Sequence, residues 1–122
     1  MVDLMRAAGA KPLIDELYLQ SLADDLGADG VVEAARIFLE DAPARLPRIH
    51  GDAVHVRREA HALAGSARAM GLMRLGEAAS AMQDAADEAT TADPAAAAQF
   101  EMLLLESVAA LEAWVAARTV LT

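Results

Sequence analysis

The 122-residue chain contains no cysteine, one tryptophan, one tyrosine and two phenylalanines. Without a thiol there are no disulfides, thiolate nucleophiles or cysteine-ligated metal centres. No β-rich stretch is bounded by hairpin turns, which argues against a sheet-based core. Nor does any apolar run approach the roughly 20 residues that span a bilayer, so no membrane segment is expected. The opening Met1-Val2-Asp3-Leu4-Met5-Arg6 lacks a basic region followed by an apolar core. No signal peptide and a cytoplasmic setting are therefore expected. Basic residues are the minority, ten against 19 acidic ones, for a net charge of −9. That balance argues against nucleic-acid binding, which needs a basic surface.

What the chain has in quantity is small and aliphatic residues. Its composition is 56% hydrophobic, mostly alanine, leucine, valine and methionine, which are helix formers or tolerate helices. An all-α protein follows, and the length suits one domain over residues 1–122. A first helix is expected over about 12–26, with Pro12 in its first turn and Gly27 at its end. Asp29 offers an N-cap for a second helix that buries Val31, Ala35, Phe38, Leu39, Ala42, Leu46 and Ile49, with a kink or break at Pro43 and Pro47. Gly51-Asp52 reads as stop and restart, and the next helix runs to about Met70, where Gly71 turns the chain. Leu72, Leu75, Ala79, Met82, Ala86 and Ala89 mark a further helix, closed by Thr90-Thr91-Ala92-Asp93-Pro94. Asp93 caps a last helix that buries Phe100, Leu104, Val108, Leu111 and Val115. Trp114 and the methionines at 70, 73, 82 and 102 are expected in the core or at its ends. Short links make neighbours antiparallel. The expected architecture is an antiparallel up-down four-helix bundle over about 29–118 with an additional short N-terminal helix across one end.

One face of the third long segment stands out. Ala53, Val56, Ala60, Leu63, Ala67 and Met70 form its apolar seam. His61 points about 130° away from the centre of that seam, towards water. Arg57, Arg58, Ala64, Gly65 and Arg68 fall within about 60° of it on the helical wheel. Gly65 costs roughly 1 kcal/mol relative to alanine in a helix interior, and it clears space for another surface to approach. Between Arg45 and Arg74 six arginines face only Asp52 and Glu59, a local balance of +4, while the rest of the chain carries −13. This concentration suits an acidic or phosphorylated partner.

The run His61-Ala62-Leu63-Ala64-Gly65-Ser66-Ala67-Arg68-Ala69-Met70-Gly71 resembles the signature of histidine-containing phosphotransfer (HPt) domains. That pattern has leucine two residues after the histidine, usually lysine at three, glycine at four, serine at five and glycine at ten. His61, Leu63, Gly65, Ser66 and Gly71 match it, and Phe38-Leu39-Glu40-Asp41-Ala42-Pro43-Ala44-Arg45-Leu46 resembles the family's upstream helix. The likeness covers roughly Leu17 to Val115, most closely from Ala60 to Met82. It implies that His61 is the phosphoacceptor of a phosphorelay. A receiver domain carrying an aspartyl phosphate docks over it, and the phosphoryl group later passes to another receiver's aspartate. The implied partners are response-regulator receiver domains and a hybrid histidine kinase, and the implied Mg²⁺ belongs to the receiver. Arg57, Arg58, Ala64, Gly65, Ser66 and Arg68 are the flanking docking and phosphoryl-binding candidates. Ala64 stands where the family usually has lysine, and Arg68, Arg57 or Arg58 is expected to supply the cation.

The alternative is a receiver-binding adaptor that docks without carrying phosphate. An autophosphorylating kinase is disfavoured because the chain has no glycine-rich nucleotide lobe. A metal site is disfavoured because His50, His55 and His61 do not share a helix face. No further long apolar stripe is present, so a monomer is expected.

Overall fold

The computed structural model describes residues 4, 6, 9, 11–88 and 93–119. Among them are six helices and no strand: α1 (Glu16–Leu26), α2 (Ala28–Ala44), α3 (Leu46–Ile49), α4 (Ala53–Ala69), α5 (Met73–Glu88) and α6 (Pro94–Thr119). Ala89, expected on the α5 stripe, and Thr90, Thr91 and Ala92 of the following link lie outside the described residues, as do Met1, Val2, Asp3 and Met5.

Aspartates start three of the helices. Asp15 accepts the Tyr18 N–H at 3.0 Å, Asp52 the His55 N–H at 3.0 Å, and Asp93 the Ala95 N–H at 3.0 Å. Each satisfies a backbone donor that the helix itself leaves unpaired. The His55 backbone N–H, followed by the His55 side chain, holds the Asp52 carboxyl below its ordinary pKa.

Helices α2, α4, α5 and α6 form the bundle. The α4–α5 pair is the most closely packed, and α6 closes the ring against α2 and α5. Small residues make the close approach possible: Ala60, Ala64 and Ala67 on α4, and Gly76, Ala78 and Ala79 on α5, are all buried. Phe100, Leu63, Leu75, Leu104 and Leu111 fill the centre with no exposed surface. Every predicted apolar position on the last helix is buried, and Trp114 packs with them beneath Arg118, whose guanidinium lies 3.9 Å from the indole centroid.

Three local expectations are corrected. Helix α1 begins at Glu16 rather than Pro12, because Asp15 caps it and the Pro12 carbonyl is taken by the Arg74 N–H at 3.1 Å. Asp29 is not a cap: Gly27, at φ +81°, turns the chain so sharply that α2 starts at Ala28 with Asp29 inside its first turn. Met102 is 65% exposed rather than packed. The break near the prolines is present, since α2 ends one residue after Pro43 and α3 begins with Leu46-Pro47.

The segment before α1, with the first turn of α1, lies over the α4–α5 turn as a lid. Asp15 donates its N–H to the Gly71 carbonyl at 2.8 Å, Tyr18 donates its hydroxyl to the Ala69 carbonyl at 3.0 Å, and Arg74 Nε donates to the Lys11 carbonyl at 3.0 Å. The end of α4 is thereby fixed against α5. That fixes the register of the two helices that carry the site.

Candidate functional site

His61 sits mid-way along α4 on its exposed face, as its angle to the apolar seam predicts. Its Nδ1 lies 3.1 Å from the side-chain amide nitrogen, Nε2, of Gln83 on α5. A half-turn of that amide exchanges its nitrogen and oxygen at one position. With the oxygen facing the ring, Nδ1–H donates to Gln83 and the Nε2 lone pair is left free. Val54, Arg57, Arg58, His61 and Gln83 line an open depression of about 320 Å³.

The flanking candidates divide. Arg57 and Arg58 border the imidazole; Arg57 lies 3.6 Å from Asp87 across the helix pair, and Arg58 has no ion-pair partner among the described residues. Gly65 is exposed, and a Cβ built on it meets nothing within 4 Å beyond its own helix. Ala64 does not frame the imidazole. It is buried at 5% exposure, because that flank of α4 packs on α5. Ser66 is half-buried and turns its hydroxyl back to the Leu63 carbonyl at 3.5 Å, away from the depression. Arg68 crosses to α5, where its Nη2 donates to Ser80 Oγ at 2.8 Å and lies 3.6 Å from Glu77.

The arginine concentration seen in the sequence is therefore dispersed in space. Arg45 and Arg48 converge at 2.7 and 3.8 Å on Glu59, which is 4% exposed on the opposite side of α4 from His61. Hydrogen bonds to Asp41 and Glu59 raise the Arg45 pKa above its ordinary value. Arg74 serves the N-terminal segment. His50 pairs with Glu101 at 3.0 Å and His55 with Asp52 at 2.8 Å, so neither joins His61, and no group of potential metal ligands occurs among the described residues.

Sequence reasoning missed Gln83 and Val54. A signal for Gln83 existed: His61 and Gln83 both lie eleven residues from Leu72, so an antiparallel hairpin about the Gly71 turn brings them level.

The family model of the Hpt domain matches residues 33–114, a span that includes His61, Gln83 and all four bundle helices in whole or in large part. The chain belongs to the Hpt domain family. No curated protein and no solved structure matches it. As an Hpt domain it is a phosphotransfer module of two-component phosphorelays, a class that works with receiver domains and histidine kinases. Helix α1 lies outside the matched span, although it braces the turn of this Hpt domain. No helix among the described residues is long and apolar enough to cross a membrane.

Proposed function

We propose that His61 is the phosphoacceptor, taking a phosphoryl group from a receiver's aspartyl phosphate and passing it to the aspartate of another receiver. The observation that carries this is the exposed imidazole, whose Nδ1 is engaged by the Gln83 amide while its Nε2 has no partner among the described residues. The Nε2 lone pair attacks phosphorus, the N–P bond forms as the P–O bond to the aspartyl carboxyl breaks, and the carboxylate leaves with that electron pair. With the Gln83 amide turned so that its oxygen faces the ring, the Nδ1 proton stays in place, held by that oxygen. The resulting phosphoimidazolium passes its phosphoryl group on readily, because the N–P electron pair returns to Nε2 and neutral imidazole leaves. Mg²⁺ in the receiver steadies the charge on the phosphoryl oxygens.

This chain supplies a positioned nucleophile and an open approach. Val54 offers exposed apolar surface beside the imidazole, Arg57 and Arg58 offer cations for an acidic receiver surface, and Gly65 removes bulk one turn above. One docking face per chain suits a monomer, and relay partners of this kind suit a cytoplasmic setting.

The test is transfer of labelled phosphate from phosphorylated receivers. The expected label is acid-labile and alkali-stable, absent in His61→Gln and acquired about three- to tenfold more slowly in Gln83→Leu, the equivalent of one orienting hydrogen bond. Receivers that bind but transfer no label would identify a docking adaptor instead.

A further inference from the structure

Arg68 occupies a built position that phosphoryl acceptance by His61 does not by itself explain. Glycine is unfavourable inside a helix, yet Gly76 sits buried within α5, and a Cβ there would stand 2.7 Å from Arg68 Cγ. The Gly76 notch lets the Arg68 stem lie flat across α5 and reach Ser80 and Glu77. The register shows where this brings the guanidinium. Arg57–Asp87 and His61–Gln83 are cross-helix neighbours four residues apart on each helix in opposite directions. One step further along, Ser80 is level with Ala64 and Gly65. Side chains lean towards the N-terminus of their helix, so Arg68 leans back towards His61. Ala64 and Gly65, which lie between them on α4, carry no more than a methyl group.

We propose that Arg68 is the cation that holds the phosphoryl oxygens of phosphorylated His61, and that Ser80 and Glu77 hold it in waiting across Gly76. The inference rests on His61 being the phosphoacceptor. A guanidinium carries five N–H donors, and only one hydrogen bond, to Ser80, occupies Arg68 among the described residues. The Glu77 pair is long, at 3.6 Å, and both side chains are partly exposed; such pairs bind weakly. A phosphoryl group with nearly two negative charges and three acceptor oxygens outcompetes that single carboxylate. Glu77 is then a tether that phosphorylation releases.

The 122-residue chain is labelled with phosphoramidate as a small phosphoryl donor, and the label is followed by ³¹P NMR across pH. Arg68→Ala is expected to take up phosphate on the order of tenfold more slowly, the equivalent of one charge-assisted contact at an open site. It is also expected to raise the midpoint at which the phosphoryl resonance titrates, because a nearby cation favours the dianion. Arg68→Lys should restore much of both effects. Glu77→Gln, which frees the guanidinium, should take up phosphate at least as fast as the parent. An Arg68→Ala rate within twofold of the parent with an unmoved ³¹P midpoint would overturn the proposal. Slowing of Glu77→Gln to the level of Arg68→Ala would also overturn it, since the ion pair would then serve packing alone. A parent protein that takes no label, or a His61→Gln variant that keeps it, would defeat the His61 reading itself.

Discussion

A glycine within a helix costs roughly 1 kcal/mol relative to alanine, and at Gly65 nothing inside the molecule requires one. The residue is exposed and a Cβ would meet no neighbouring element. Gly71 and Gly76 differ in this respect, because each lies against another part of the chain. Gly65→Ala is therefore expected to stabilise the free protein by about 1 kcal/mol in urea denaturation, while transfer from a receiver slows several-fold. A variant that gains stability and keeps its receiver transfer rate would show that Gly65 does not serve docking. His61, Gly65 and Arg57 are legible in the sequence because the helical wheel needs only their spacing. Gln83 is legible only once the chain is folded back about the Gly71 turn, since its role comes from a partner on another helix.

At the scale of elements, the α4–α5 turn governs how the two site helices align. Gly71 has φ +72°, and a Cβ would stand 3.0 Å from Tyr18 Cδ2 and 3.2 Å from the Asp15 carbonyl oxygen. Gly71→Ala thus meets both left-handed strain and a crowded lid, and is expected to cost roughly 2 kcal/mol by urea denaturation. Hydrogen exchange should rise in α1 and the end of α4 before it rises in α6; uniform acceleration would argue against a local role for the lid. The sequence read this turn correctly, and likewise the restart at Gly51-Asp52 and the Asp93 cap, because such signals act within about four residues. It misread the start of α1, where Pro12 is a good first-turn residue. Its backbone is instead committed to Arg74, 62 positions away.

At the scale of the whole molecule, the site depends on the core beneath it. Phe100 and Leu63 are fully buried where α6 and α4 meet the core. Phe100→Ala is expected to cost about 3–5 kcal/mol, against a total stability on the order of 5–15 kcal/mol for a domain. Thermal unfolding monitored by circular dichroism should show a large drop in Tm, with label uptake at His61 lost in proportion to the unfolded fraction at the assay temperature. Uptake that persists after the helical signal is gone would mean that the imidazole acts without its scaffold.

The sequence by itself determined that this chain is all-α, where its apolar stripes lie and that His61 faces water. These properties arise from helical periodicity and from contacts between near neighbours in the chain. Only the tertiary structure decided the fate of the charges around that histidine. It buried Glu59 against Arg45 and Arg48, sent Arg74 to the N-terminal segment, laid Arg68 across Gly76 and brought Gln83 to the imidazole. The reason is physical: a local count of charge is blind to the direction of each side chain. Pairing across helices follows from register, which here is set by the Gly71 turn and the lid that holds it.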